Sequence, residues 1–294
     1  PSSNSGNNIF VYYLFRTVAT VDHPATSALS ATSGTFSTTL ASTGNATVGG
    51  TLDVTGKVGI LGANDLGLGL HIKEADSGAS SVSTDADQLV IENSAESGIT
   101  LLAGTSSASR IAFGDSGNSK IGMVYYNHGS NYMQFSTNDT AQMKIDSTGA
   151  VTKPNQPAFL AVPNAGSGGT TNMSTNTTIV FGTEKFDQNG DFASNTFTAP
   201  VTGKYQLNFM ARVDQIDTAA NWQRLVLVTS NTTYESQIID LGGLSSDPAY
   251  WMFNINVLAD MDANDTAFIK YQQDAGAAQT DVTEQAFFSG YLAC

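Results

Sequence analysis

Residues 196–209, TFTAPVTGKYQLNF, decide how this chain is read. Apolar and polar residues alternate on both sides of a break, with Phe197 and Ala199 before Pro200 and Tyr205, Leu207 and Phe209 after Gly203. A period of two marks a strand with one buried face. Pro200 removes a backbone donor and Gly203 permits a turn, so the stretch predicts strand, corner, strand. The chain closes on a second such piece, FFSGYLAC (287–294). Together they predict a compact β-sandwich head.

The same period recurs across residues 154–294, in QPAFLAV (156–162), TIVFG (178–182), QRLVLVTS (223–230), YESQIIDL (234–241), YWMFNINVLAD (250–260) and TAFIKYQQ (266–273). Residues 164–178 read as a loose loop, and EKFDQNGDF (184–192) as another. About nine strands without a helix make a jelly roll.

Composition narrows the function. The 294 residues carry 12 Lys+Arg against 26 Asp+Glu, a formal net charge of −14. That excess argues against nucleic acid, whose binding rests on phosphate neutralisation, and against an anionic membrane surface. No apolar run approaches the ~20 residues of a membrane helix. The opening PSSNSGNN lacks the basic region of a signal peptide. Cys294 is the only cysteine, which excludes an intrachain disulfide and a cysteine metal cluster.

Three regions precede the head. Residues 1–33 contain IFVYYLFRTVATV (9–21), in which Phe10, Tyr12, Tyr13 and Phe15 are too few for a membrane span and rich in β-formers. This run is either a strand packed on its neighbour or a peptide that docks into a larger assembly. Residues 34–60 repeat the frame L-x-x-T-G, with Leu40 and Gly44 recurring as Leu52 and Gly56 after 12 residues. So thin an apolar strip buries its surface only by stacking or by pairing with other chains. Residues 61–153 are short period-two runs between turns, among them LGLGLHIKE (66–74), DQLVIEN (87–93), GITLLAG (98–104) and SRIAFGD (109–115). KIGMVYYNH (120–128), YMQFST (132–137) and AQMKIDSTGAV (141–151) continue the series.

Two resemblances attach to these residues. The run IAFGDSGNSKIGMVYYNHGSNYMQFSTNDTAQMKIDSTGAV (111–151) resembles a segment of bacteriophage tail-fibre and other virion fibre proteins, where it precedes the fibre end. The 34–60 repeat resembles phage fibre stems. Residues 154–294 resemble the C1q-like domain. The matching residues are Pro157-Ala158-Phe159, the Phe186 to Phe192 segment, Phe197-Thr198-Ala199-Pro200, Gly203-Lys204-Tyr205, and Phe287-Phe288-Ser289-Gly290-Tyr291-Leu292. The resemblance implies a jelly roll of about ten strands that assembles as a homotrimer. The chain departs from it twice: no collagen G-X-Y period precedes the head, and Ala263-Asn264-Asp265 stands where Gly-Asp is usual before the penultimate strand.

Catalytic readings fare poorly. GDSG (114–117) is shaped like the surroundings of a serine nucleophile, but such a site needs His and Asp partners, and His23, His71 and His128 sit in no recognisable context. A β-turn is the better reading. Asp260, Asp262, Asn264 and Asp265 begin like a calcium loop, yet Asp265 occupies its glycine position and Tyr271 that of its bidentate Glu. Binding is more credible. Trp222, Tyr234, Tyr250 and Trp251 fall at or near predicted loop ends, and aromatics beside Asn, Asp and Gln suit sugar or protein recognition. The alternative places Trp251 in the core and Trp222 as a strand cap.

These readings predict an all-β chain: an N-terminal anchor peptide (1–33), a trimeric β-rich stem (34–60), a short-strand fibre segment (61–153) and a C1q-like jelly-roll head (154–294). The expected function is structural, a bacteriophage tail fibre that adsorbs to the host surface through the head. A capsid fibre or decoration protein is the alternative, and a surface-polysaccharide depolymerase stands further off. No catalytic residue, metal ligand or cofactor is expected. The expected partners are two further copies, other virion proteins through the N-terminus, and a host surface glycan or protein, without nucleic acid or membrane insertion. Its place is the virion, outside the cell when it functions.

Overall fold

The computed structural model describes residues 58–60, 70–164 and 169–294. The anchor residues Phe10, Tyr12, Tyr13 and Phe15, His23, and the repeat strip up to residue 57 lie outside the described residues. The described elements are all strands. No helix among them is long and apolar enough to cross a membrane. Two units divide between Gly98 and Ile99.

In the first unit, β1 (Val58–Ile60), β2 (Leu70–Lys73) and β3 (Leu89–Glu92) form a parallel sheet. Val58 pairs with Leu70, a step of 12 residues that matches the spacing of Leu40 and Leu52. His71 on β2 is buried, and its Nε2 lies 2.8 Å from Glu92 Oε2 on β3. Glu92 Oε1 accepts the Ser77 amide at 2.8 Å and the Ser77 hydroxyl at 2.9 Å, and Lys73 Nζ lies 3.5 Å from Oε2. A buried carboxylate needs such partners. The Ser77 amide, above all, holds its carboxyl below the ordinary value. GITLLAG (98–104), expected as a strand, forms none, and Leu102 is 91% exposed. Without a pairing partner, local alternation does not make a strand.

The second unit begins with an antiparallel meander, β4 (Ala108–Phe113), β5 (Gly122–Asn127), β6 (Tyr132–Thr137), β7 (Thr140–Ile145) and β8 (Val151–Thr152), paired in chain order. GDSG is the β4–β5 turn, where Asp115 Oδ1 accepts the Gly117 and Asn118 amides at 2.7 and 2.8 Å. Cross-strand partners share a face. Ile111, Val124, Phe135 and Met143 form one row, and Ser109, Tyr126, Met133, Ile145 and Val151 the next on that face. The opposite face carries Arg110, Tyr125, Gln134, Lys144 and Thr152. There Lys144 Nζ lies 4.1 Å from the Tyr132 ring centre and the Tyr125 and Tyr132 hydroxyls are 3.2 Å apart.

The head follows in strands β9 (Ala158–Val162), β10 (Thr170–Met173), β11 (Asn176–Thr178), β12 (Thr183–Asp187), β13 (Phe192–Ala193), β14 (Thr196–Thr198) and β15 (Gly203–Asp214). It continues through β16 (Ala220–Thr229), β17 (Thr233–Glu235), β18 (Ile239–Asp240), β19 (Tyr250–Met261), β20 (Thr266–Ala275) and β21 (Thr280–Leu292). One sheet runs β12-β9-β21-β15-β19 and the other β13-β14-β20-β16-β17. The last strand thus lies between the first and the central one, and both sheets close around one core.

The opening stretch shows how the sheets are joined. Phe197 on β14 belongs to one sheet and Tyr205 on β15 to the other, and the corner between them is held by the Tyr205 hydroxyl donating to the Val201 carbonyl at 2.7 Å. Gly203 is required by close approach, since a Cβ there would lie 2.6 Å from Leu292 Cδ1 and 2.7 Å from the Cys294 carbonyl. Inward residues Tyr205, Leu207, Phe209, Ala211 and Val213 are all fully buried, as the period of two predicts. Phe159 stacks between Phe192 and Phe197 at centroid distances of 4.9 Å and meets the edge of Phe288 at 5.0 Å.

Several strand boundaries differ from the sequence reading. The 164–178 segment contains β10 and β11, and EKFDQNGDF supplies β12, because pairing with β21, β20 and β9 supplies partners that local composition does not show. TIVFG pairs only as far as Thr178, and its Ile179 and Phe181 plug the core from an irregular segment.

Candidate recognition and assembly surface

Residues 157 and 292 lie together at one end of the head, where the Leu292 amide donates to the Pro157 carbonyl at 3.1 Å. The β15–β16, β18–β19 and β20–β21 connections gather at the other end, and their carboxylates bind backbone and side chains of neighbouring loops. Asp247 Oδ1 accepts the Thr218 amide at 2.9 Å and the Thr218 hydroxyl at 2.5 Å, while its Oδ2 accepts Gln279 Nε2 at 3.0 Å. Those bonds, the Thr218 hydroxyl first, hold the Asp247 carboxyl below its ordinary value. Buried Asp217 accepts the Ala219 amide at 2.9 Å and also the Ala277 amide. These loops form a braced platform, the kind of rigid support on which recognition residues are carried.

Three of the four aromatic candidates stand near this end. Tyr250 opens β19 and is 62% exposed, with Arg212 Cζ 4.6 Å from its ring centre. Arg212 is itself held by Asp214 through bonds of 2.8 and 2.9 Å. Trp222 on β16 lies under Arg224, whose Cζ is 5.0 Å from the ring centre. Trp251 pairs with Val213 and packs against the core. Tyr234 is apart from them: it pairs with Leu227, toward the far half of β16, and packs against the core. Tyr250 and Trp251 lie on one sheet and Trp222 and Tyr234 on the other.

Of the Asp260–Asp265 run, Asp260 lies at the end of β19 and residues 262–265 form the tight turn to β20. Asp260 pairs with Lys204 at 2.5 Å, and Asp265 Oδ2 accepts the Asp262 amide and Asn231 Nδ2, each at 2.8 Å. Asn264 adopts φ 75°, the left-handed conformation that Asn tolerates where glycine is usual. No group of three His, Cys, Asp or Glu that could hold a metal occurs among the described residues.

A second surface was not singled out from sequence. The outward face of the β12-β9-β21-β15-β19 sheet carries rows of Gln206, Leu258 and Tyr291, then Asn208, Asn256 and Ser289, then Met210, Asn254 and Phe287. Leu258, Tyr291 and Met252 are exposed there. Charges occur toward its ends, as Lys204–Asp260 and Arg212–Asp214. A centre of amides and apolar groups with peripheral charges is the anatomy of an association surface. The other sheet presents Arg224, Lys270, Gln272 and Glu235 outward, a charged face. The uncharged outward positions of GKYQLNFMARV and WMFNINVLA were the available signal.

Residues 158–293 match the family model of the C1q domain. No curated protein matches the chain. Among solved structures, the chain is similar to the globular domain of zebrafish complement 1qA protein, at 20% identity and a TM-score of 0.37, covering 47% of this chain and 98% of that one. It is also similar to murine APRIL, at 10% identity and a TM-score of 0.34 with the same coverage. The head of this chain, residues 158–293, is a C1q domain.

Proposed function

We propose that the chain is the homotrimeric fibre protein of a bacteriophage particle, a tail fibre whose C1q domain contacts the host surface. The observation that carries the assembly is the uncharged, partly apolar centre of the outward face of the β12-β9-β21-β15-β19 sheet. A chain with a net charge of −14 repels its own copies, so association is favoured through a patch whose centre has no ionised groups. The particle assignment rests on the resemblance of residues 111–151 to virion fibre proteins. In this reading the protein binds and supports and does not catalyse. Residues 1–33, with Phe10, Tyr12, Tyr13 and Phe15, attach it to the virion, and the loop end of the head, with Tyr250, Trp222 and Trp251, faces a surface glycan or protein. Three heads close together convert weak contacts into avidity.

Light scattering of the purified chain should give about three copies, and a monomer refutes the assembly. Gold-labelled antibody against the head should mark the tail of intact particles. Label on the capsid shell would assign the chain to a capsid fibre or decoration protein instead, and unlabelled particles would refute a virion role. Released reducing sugar on incubation with host polysaccharide would refute the non-enzymatic reading.

A further inference from the structure

The meander β4–β8 is a single layer of strands whose two faces differ in kind. The row Ile111, Val124, Phe135 and Met143, with Phe113 and Val151 beside it, carries no ionisable group. The opposite face carries Arg110 and Lys144 over tyrosine rings, an arrangement that remains hydrated. Yet Phe113 is 59%, Val151 53% and Ile111 52% exposed, and Phe135 is exposed as well. A sheet normally buries its apolar face against a second layer, and a soluble monomer rarely leaves an apolar patch above a few hundred Å² in water.

We propose that this face is a subunit interface, on which three copies pack their Ile111–Met143 rows against one another about a common axis. The inference rests on the homotrimer proposed above and locates a second interface within it. Three observations select a second copy as the occupant. The chain's charge discourages contact between copies wherever carboxylates are exposed, and this face has none. The meander is tied to the base of the head, since Asn155 Nδ2 donates to the Ala141 carbonyl at 3.0 Å and Gln188 Nε2 to the Lys153 and Gln156 carbonyls at 2.9 and 2.7 Å. Copies that associate through their heads therefore bring their meanders together. Finally, the face repeats a feature of the head, whose outward sheet face has an uncharged centre with its charges at the ends.

The test uses the full chain with p-benzoylphenylalanine in place of Phe135, or in place of Gln134 on the opposite face, after light scattering has fixed the oligomeric state. Irradiation joins the benzophenone to whatever chain lies against it. A trimer that yields cross-linked dimer and trimer bands from position 135, and none above background from position 134, is the expected result. A trimer that cross-links at neither position, or only from 134, overturns this interface and leaves the homotrimer standing. Cross-links from 135 that map within one chain, to residues 1–57, overturn it too by naming a different occupant. A monomer by scattering refutes both proposals.

Discussion

Gly290 occupies the point where the closing strand passes over the aromatic core, and replacing it tests the packing argument directly. It pairs with Leu207 on one side and Phe159 on the other. A Cβ added there would lie 2.6 Å from Leu207 Cδ2, 2.9 Å from Phe159 Cε1 and 3.2 Å from the Gln206 carbonyl. Carbon atoms in good contact sit about 3.5–4.0 Å apart, so two neighbours must yield. Leu207 is fully buried, and Phe159 is held between Phe192 and Phe197 and against Phe288. Phe159 cannot move without displacing a ring, and Leu207 has no solvent to move into. Overpacking of this kind costs about 1–3 kcal/mol, and for a domain of this size each kcal/mol lowers the melting midpoint by about 3–5 °C. Scanning calorimetry of Gly290→Ala should show that fall, while Gly243→Ala, whose Cβ meets nothing within 4 Å, should leave the midpoint unchanged. The loss at Gly290 should shrink in a Leu207→Ala background, because the truncated side chain vacates the clash. Equal midpoints for Gly290→Ala and wild type, or a loss unaltered by Leu207→Ala, would refute the reasoning.

Asp187 accepts the Asp191 and Phe192 amides at 3.0 and 2.9 Å, so Asp187→Ala should cost about 1–3 kcal/mol in urea unfolding and Asp187→Asn less; equal losses would show that the caps do not matter. The Glu92 carboxyl is depressed in the folded chain, chiefly by the Ser77 amide, so its stabilisation is complete above the ordinary value of about pH 4.3 and is lost as pH falls through the folded value. Amide exchange in β3 should accelerate in that acid range in the wild type and lose this dependence in Glu92→Gln; identical profiles would sink the assignment. Tyr125 is pushed up to about 12 by burial and by its hydroxyl bond to Tyr132. Its contribution is therefore present below about pH 10 and disappears as pH rises toward 12, and absorbance titration of Tyr125→Phe should lack that late phase. Exposed Tyr250→Ala should change stability by no more than about 0.5 kcal/mol while weakening competition of the purified head for host adsorption; undiminished competition removes Tyr250 from the recognition surface.

Much of the head was legible locally because a long half-buried strand writes its environment into alternate residues. Gly203–Asp214 and Tyr250–Met261 are recovered nearly to their ends, and the Pro200–Gly203 corner was visible because both residues constrain backbone geometry by themselves. The short strands β10, β11 and β12 were missed since each exists only through a partner far away in sequence, and GITLLAG was over-read for the same reason. Of the aromatic candidates, sequence proximity to turns said nothing of which sheet each would join, so Tyr234 was grouped with residues from which the fold separates it.

By itself the sequence determined the all-β class, because period-two alternation and turn residues are properties of a few neighbouring positions, and its motifs carried the C1q resemblance. Only the tertiary structure decided which faces carry no charge, that Gly203 and Gly290 are required by close approach, and that His71 and Glu92 meet in a buried pair. Those facts depend on register between strands remote in the chain, and a shift of one residue in any of them would turn every side chain to the opposite face.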